Sequence, residues 1–341
     1  MMSDKKRVVL FGATGTVGAY AAVAIQQAGF DVVAVGRREC DNGFFAAHGM
    51  RYISMDIVDL DAFEALPQQD VHAIVHLAGA IPARMKGYHP QVYIDSIMSG
   101  TLNVLDYCIK SCADRIIFAQ SVADVSYLYG DNALIPADAQ QRFPLNDDHS
   151  IYSICKNAAV CLIEHYFSKY NLKRFILRFP NIYVYHPNPF YFYDGERKWQ
   201  SYRYLIERAK RGLPIEIWGN PDLQRDIVYV KDCAQIIVKA LSASVDGGMY
   251  NVGTGIGTSM RSQVEGIVDV FSPSGNLSEI IESPDKPDTA SYIMDISKTV
   301  SDLGYKPSYD YMSYLYDMKK EMETEPFSQL WGKGKDYFSG F

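Results

Sequence analysis

No run of about 18 apolar residues occurs in this chain of 341, which argues against a membrane-spanning helix. The opening Met1-Met2-Ser3-Asp4-Lys5-Lys6-Arg7 passes straight into an apolar run without the core of a signal peptide, so a cytoplasmic protein with no membrane partner is expected. A basic excess is missing too. Against 33 Lys and Arg stand 40 Asp and Glu, a net charge of -7, and nucleic acid is therefore not an expected partner. A phosphate-bearing small ligand needs only a local positive patch. Cysteines number 6, at positions 40, 108, 112, 155, 161 and 233, and none has C-x2-C spacing. No metal site is expected from them, and reduced, buried thiols are. Internal repeats and low-complexity tracts are likewise absent.

What is present is alternation. Short β-branched runs at Arg7-Phe11, Asp31-Val35, Arg51-Ile53, Ala73-Leu77, Arg115-Ala119 and Arg174-Leu177 are separated by helical patterns, the longest at Tyr88-Ser111 and Ile151-Tyr170. Strands apolar on both faces, joined by helices, predict an α/β fold with a doubly wound parallel (Rossmann) sheet. After Arg178 the pattern gives way to a loop rich in Pro, Asn and aromatics from Phe179 to Trp199, a helix at Tyr202-Arg211 and a strand at Pro214-Trp218. This predicts a smaller lobe over the sheet's C-terminal edge, where such folds bind ligands. From Gln329 onward the chain reads as a loosely held tail.

The first run leads into Gly12-Ala13-Thr14-Gly15-Thr16-Val17-Gly18, which opens a helix. Glycines there let the backbone turn tightly and approach a pyrophosphate, which the helix's free N–H groups and dipole stabilise. Residues 1-178 are therefore read as a dinucleotide-binding domain to which the chain returns around 226-255, and 179-341 as mainly a substrate-binding lobe. The second strand ends at Gly36-Arg37-Arg38 without the carboxylate that would accept the ribose 2′-OH of NAD, which favours NADP over NAD. Arg37 or Arg38 stacking on adenine, or facing solvent, is the other reading. Asp56 and Ile57 are assigned to the cofactor site, Asp56 as acceptor from the adenine amino group or simply as a loop cap. Leu77, Ala78 and Gly79 are expected along the pyrophosphate and nicotinamide ribose.

Hydride transfer at a carbinol needs a proton acceptor, and a tyrosine near its ordinary pKa of about 10 is too weak a base at neutral pH without help. Tyr152-Ser153-Ile154-Cys155-Lys156 places a lysine one helical turn on, where its charge favours the phenolate. With 25 tyrosines in the chain, chance supplies about one such pair, and Tyr316/Lys320 is taken as accidental. Context favours the first, since it opens the helix after a strand ending at Gln120-Ser121. A serine there can donate to the reacting oxygen. Ser121, Tyr152 and Lys156 are the expected catalytic triad.

The glycine series, this triad, and the phrases Arg178-Phe179-Pro180-Asn181-Ile182-Tyr183, Gln224-Arg225-Asp226-Ile227-Val228-Tyr229 and Tyr250-Asn251-Val252-Gly253 together resemble the extended short-chain dehydrogenase/reductases, in particular the NAD-dependent epimerase/dehydratase branch. The resemblance runs from about residue 7 to 310. It implies a nucleotide-diphosphate sugar as substrate, with Asn181 and Arg225 at the diphosphate, Trp218 beside the base, and Pro180 and Ile182 near the nicotinamide. An ion pair with Asp226 for Arg225, or burial in the lobe core for Trp218, is the alternative. It also implies a homodimer packed through the helices at 88-111 and 151-170. Val122-Ala123 and a solitary Asp124 follow Ser121 where 4,6-dehydratases carry Asp-Glu, so dehydration is disfavoured. Ile97 stands where the family usually has asparagine, and the resemblance does not extend to the proton-relay water or helix kink tied to that position. The stretch Val125-Gly130 reads as longer than the family norm. Either 4-epimerisation or NADPH-dependent keto-sugar reduction fits, with a reductase of a non-sugar carbonyl or a non-catalytic NAD(P)-binding regulator as alternatives.

Overall fold

In the computed structural model, which describes residues 5–338 apart from 132, 147, 148 and 194, seven strands form one parallel sheet. They are β1 (Arg7–Phe11), β2 (Asp31–Gly36), β3 (Arg51–Ser54), β4 (Val71–His76), β5 (Arg115–Ser121), β6 (Lys173–Phe179) and β7 (Gly247–Asn251), in the order β7-β6-β5-β4-β1-β2-β3. Because strand side chains alternate, each apolar run feeds two cores. Val8, Leu10, Val32, Ala34, Val75 and Ile117 enter one, while Val9, Phe11, Val33, Val35, Ile74 and Ile116 enter the other. Helices α1 (Thr16–Gln27), α2 (Gly100–Lys110), α3 (Ser150–Tyr170), α4 (Ser201–Lys210), α5 (Val230–Ser242), α6 (Met260–Phe271) and α7 (Tyr311–Thr324) complete the layers. Ala19, Ala22 and Ile25 of α1 and Ile236, Ile237 and Ala240 of α5 cover the first face. Val104 and Leu105 of α2 and Ala159 and Ile163 of α3 cover the second.

The helix expected from Tyr88 begins at Pro90, and it is interrupted by a π turn over Ile94–Ser99 before α2. The helical irregularity is thus present even though Ile97 occupies the position in question. Beyond Phe179 the chain makes short pairs: an antiparallel hairpin of Phe190–Tyr193 with Glu196–Trp199, a parallel pair of Ile215–Trp218 with Ile280–Ser283, and an antiparallel pair of Gln224–Asp226 with Gly257–Ser259. Between the last two strands it passes through α5 and returns to the sheet as β7, in register with β6 from Gly247/Arg174 to Asn251/Arg178.

Two corrections concern side chains. Cys108, Cys155 and Cys233 are buried, but Cys40, Cys112 and Cys161 are exposed, and none is in a disulfide. The segment from Gln329 to Phe338 is docked, not loose, while the last three residues of the chain lie outside the described range. Trp331 is only 3% exposed and packs against Phe327 and Tyr20. The α7 helix before it is tied down by two carboxylates, Glu321 buried and Asp317 partly so: Tyr20 Oη donates to Glu321 at 2.5 Å, and Lys231 Nζ lies 2.5 Å from Asp317 and 2.9 Å from Glu321. One buried indole held this way escapes detection by periodicity, because a four-residue turn makes barely one helical repeat and no pattern can recur within it.

Past β5, the carboxylate of Asp124 meets the Arg178 guanidinium at 3.0 Å, and Arg178 also reaches Asn251 on β7 at 3.1 Å. Both ionic side chains are 1% exposed. Truncating one partner would strand the other charge in the interior. Asp124→Ala is expected to destabilise the fold by about 3–5 kcal/mol, read as a lowered denaturant midpoint at unchanged slope. A change under about 0.5 kcal/mol would show the pair to be dispensable.

Candidate active site

At the end of β1 the Gly12 and Ala13 N–H groups both donate to the Val35 carbonyl at 2.9 Å, so the loop turns across β2. Gly12 has φ +86°, and a Cβ there would lie 2.7 Å from the Ala78 backbone nitrogen. A Cβ on Gly18 would lie 2.0 Å from the Gly12 carbonyl oxygen. Neither position admits a side chain. The helix that follows begins at Gly15 with no capping side chain and no acid in its first turn, which leaves N-terminal N–H groups and the positive end of the dipole for an anion.

These features open on a cleft of about 730 Å³. Gly12, Thr14, Gly15 and Thr16 line it, with Arg37, Arg38, Asp56 and Ile57 at the β2 side and Leu77, Ala78 and Gly79 at the end of β4. Val17 and Gly18 do not line it: Val17 packs into the core and Gly18 sets the helix against the loop. A glycine cradle, an uncapped helix terminus and two cations fit a dinucleotide. The arginines are not equivalent. Arg37 is largely exposed, 3.9 Å from Asp56, whereas Arg38 Nη1 donates to the Leu330 carbonyl at 3.0 Å. Asp56 also accepts from the Val58 N–H at 3.1 Å, so it caps its own turn as well as facing the cleft.

The Ser121, Tyr152 and Lys156 side chains are brought together where β5 ends and α3 begins. Gln120 holds this junction, since its Oε1 accepts from the Ser121 N–H at 2.8 Å and its Nε2 donates to Asn157 at 3.1 Å. The Ser121 hydroxyl accepts from the Ala123 N–H at 3.2 Å and stands near the Tyr152 phenol. The Lys156 ammonium donates to the Ala119 carbonyl at 2.7 Å and lies 5.9 Å from the centre of the Tyr152 ring. Burial pushes the Tyr152 phenol up to about 12, against the opposing effect of the Ser121 hydroxyl, and pulls Lys156 down to about 8. The triad does not line the cleft itself. It adjoins it through Tyr93, whose ring meets Tyr152 edge-on at 6.1 Å, and whose neighbours Val92 and Ser96 are on the cleft wall. Tyr316, of the second tyrosine–lysine pair, is exposed on α7.

Ser121 pairs with Phe179 on β6, so Pro180, Asn181 and Ile182 follow directly across from it, with Pro180 buried and Asn181 exposed. Asn181 and Arg225 converge on Tyr292: the Asn181 N–H donates to its hydroxyl at 3.4 Å, and the Arg225 guanidinium lies 5.7 Å from its ring centre. Arg225 is held by Thr289 Oγ1 at 2.6 Å and the Ala290 carbonyl, not by Asp226, whose carboxylate is taken by Thr254, Gly255 and Met294. Trp218 is exposed with its indole N–H on Glu216, which removes the lobe-core reading. Asp124, spent on Arg178, is not placed to move protons. The stretch around it, Val122–Leu128, winds as 3-10 turns broken by a kink at Val125, and Tyr129 stacks on Tyr292 at 4.7 Å.

Sequence reasoning missed Tyr292 and the far wall of the cleft, which Arg84, His186, Asn188 and Tyr337 provide. Arg84 offered a signal, as a cation five residues after Gly79. The others lie in no motif, and only folding of the lobe brings them there. Among the described residues no metal-binding cluster occurs and no helix is long and apolar enough to cross a membrane.

A parallel sheet with a glycine-lined cleft at its C-terminal edge and a Ser-Tyr-Lys cluster beside it defines a dinucleotide-dependent enzyme of the extended short-chain dehydrogenase/reductase type. The family model for the NAD dependent epimerase/dehydratase family matches residues 8–253, and the chain belongs to that family. Among curated proteins, a putative UDP-glucose 4-epimerase of Methanocaldococcus jannaschii is 28% identical over 303 residues, 89% of this chain and 94% of the relative. In fold the chain is similar to the UDP-glucose 4-epimerase of Thermotoga maritima, solved with UDP-glucose (TM-score 0.73, 20% identity, 94% of this chain and 99% of that one). It is similar also to the UDP-glucuronic acid 4-epimerase of Bacillus cereus, solved with NAD (TM-score 0.69, 20% identity, 95% and 99%).

Gly18→Ala is expected to weaken dinucleotide binding by more than about tenfold, because the new methyl displaces the loop from its anion-binding position. Calorimetric titration with NADH checks this, with circular dichroism as the control for folding. An unchanged dissociation constant would remove the loop from the site.

Proposed function

We propose that the chain interconverts the C4 epimers of a UDP-sugar, with NAD held in the glycine-lined cleft. The observation that carries the proposal is the grouping of Ser121, Tyr152 and Lys156 where β5 meets α3, with the Lys156 ammonium 5.9 Å from the Tyr152 ring and Tyr93 linking that ring to the cleft wall. The similarity to UDP-glucose and UDP-glucuronic acid 4-epimerases supports the substrate class and the reaction. When bound, the cofactor supplies a positively charged nicotinamide that takes the C4 hydride and gives it back to the other face, so none is consumed.

The chain's own part is to hold the sugar and move one proton. Once ionised, Tyr152 takes the proton from the C4 hydroxyl as the hydride leaves and returns it to the C4 oxygen when the hydride comes back, and Ser121 donates to the same oxygen as negative charge develops there. Tyr152 is protonated at neutral pH in the ligand-free protein, and the positive charge of Lys156 offsets part of the cost of ionising it. Asn181 and Arg225, gathered at Tyr292, take the diphosphate, for which a guanidinium is suited. Trp218 lies on the lobe surface, open to a base. NAD is preferred here to the NADP favoured by the residues of the β2 tip, because Arg38 is tethered through Nη1 to the Leu330 carbonyl and Asp56 beside Arg37 would repel a 2′-phosphate. Leu102 on α2 and Ile154 on α3 are exposed, and we extend the proposal to a homodimer through these helices. A monomer in sedimentation equilibrium would remove that extension.

Tyr152→Phe should lower turnover of UDP-glucose or a related UDP-sugar by at least about a hundredfold while leaving NAD affinity within about twofold. Near-normal turnover would defeat the triad assignment. Since Lys156 is charged below pH 8 and neutral above, kcat/KM should fall as pH rises through about 8. A profile flat from pH 7 to 9.5 would show that its charge plays no part.

A further inference from the structure

Resting on the reading of the cleft as a dinucleotide site, we infer that the segment Ser328–Phe338 is a working wall of that site: Trp331 positions the glycine loop, and the Leu330 carbonyl sets the choice of cofactor by withholding Arg38. The indole N–H of Trp331 donates to the Thr14 carbonyl at 3.0 Å, in the middle of the loop that no other capping side chain holds. That bond fixes the peptide plane of a residue lining the cleft. One residue earlier, the Leu330 carbonyl accepts from Arg38. One earlier again, Gln329 and Asn42 exchange two hydrogen bonds, Asn42 Nδ2 to the Gln329 carbonyl at 2.9 Å and Gln329 Nε2 to the Asn42 carbonyl at 2.6 Å, closing a clasp over the β2 tip.

The segment then folds back, with Tyr337 Oη on the Trp331 carbonyl at 2.6 Å and its ring on the cleft wall. His186, from the lobe, packs on the other side of the indole with ring centres 4.6 Å apart. Three chain regions distant in sequence thus meet on one tryptophan. A guanidinium anchored to a carbonyl through Nη1 keeps its Nε and Nη2 donors but is held in one orientation, and an NADP-bound state is disfavoured to the extent that Arg38 must turn from it to meet a 2′-phosphate.

The test compares NADH and NADPH binding by calorimetry for the full chain, Trp331→Phe, a chain ending at Phe327, and Arg38→Ala in both lengths. In the shortened chain NADH affinity should fall about tenfold and the NADPH-to-NADH affinity ratio should rise about fivefold, the rise vanishing when Arg38→Ala is added. Trp331→Phe keeps an aromatic ring in the same pocket but loses the N–H together with the indole's five-membered ring, so both dinucleotides should weaken about threefold with their ratio unchanged. Unaltered affinities and ratio in a folded shortened chain would overturn the inference, as would a rise that persists without Arg38. If the shortened chain does not fold, Asn42→Ala with Gln329→Ala opens the clasp while keeping Leu330 and Trp331, and an unmoved ratio there overturns it equally. A full chain that binds neither dinucleotide would defeat the reading of the cleft instead.

Discussion

The crossing of α1 over the end of β1 leaves no room for a single methyl. Gly18 lies against the Gly12 carbonyl, and Gly12 against the backbone of Leu77 and Ala78 at the end of β4. This close approach brings three backbone segments to the same point, directs the uncapped end of α1 at the cleft, and places β4's exit along its side. Both the ligand cradle and the sheet's central strand pair depend on it. A bulkier residue would separate the helix from the sheet and fill the space in which a pyrophosphate fits.

The chemistry is distributed differently. Tyr152 and Lys156 share a helix face, but their environment is set by β5 and by Gln120, which links the strand's last N–H to α3. Burial acts on the two groups in opposite senses, raising the phenol and lowering the ammonium, because each charged form loses solvation. At neutral pH the ligand-free site therefore holds a protonated phenol beside a lysine that is still charged but close to losing its proton.

Buried polar groups elsewhere serve the architecture. Asp124 and Arg178 bind the loop after β5 to β6 and, through Asn251, to β7. Asp226 receives the N–H groups of Thr254, Gly255 and Met294 and so closes the junction between the lobe and the returning strand. Glu321 and Asp317 hold α7 against Tyr20 and Lys231, which brings the following turn onto the glycine loop. Each carboxylate is satisfied by several donors, as interior charge requires.

Sequence by itself determined the parallel sheet, the glycine loop and the tyrosine–lysine spacing. Strand alternation, glycine and a four-residue helical interval are local constraints, written within a few residues of one another. It also carried the serine at the strand end, because strand and helix follow in order. The tertiary structure alone decided that Arg38 faces a carbonyl from residue 330, that Tyr292 gathers Asn181 and Arg225, and that Trp331 reaches Thr14. Those partners are separated by 60 to 320 positions, and no periodicity or spacing links residues so far apart. Only the burial of apolar side chains such as Trp331 and Phe327, in one packing of lobe against sheet, brings them within hydrogen-bonding reach.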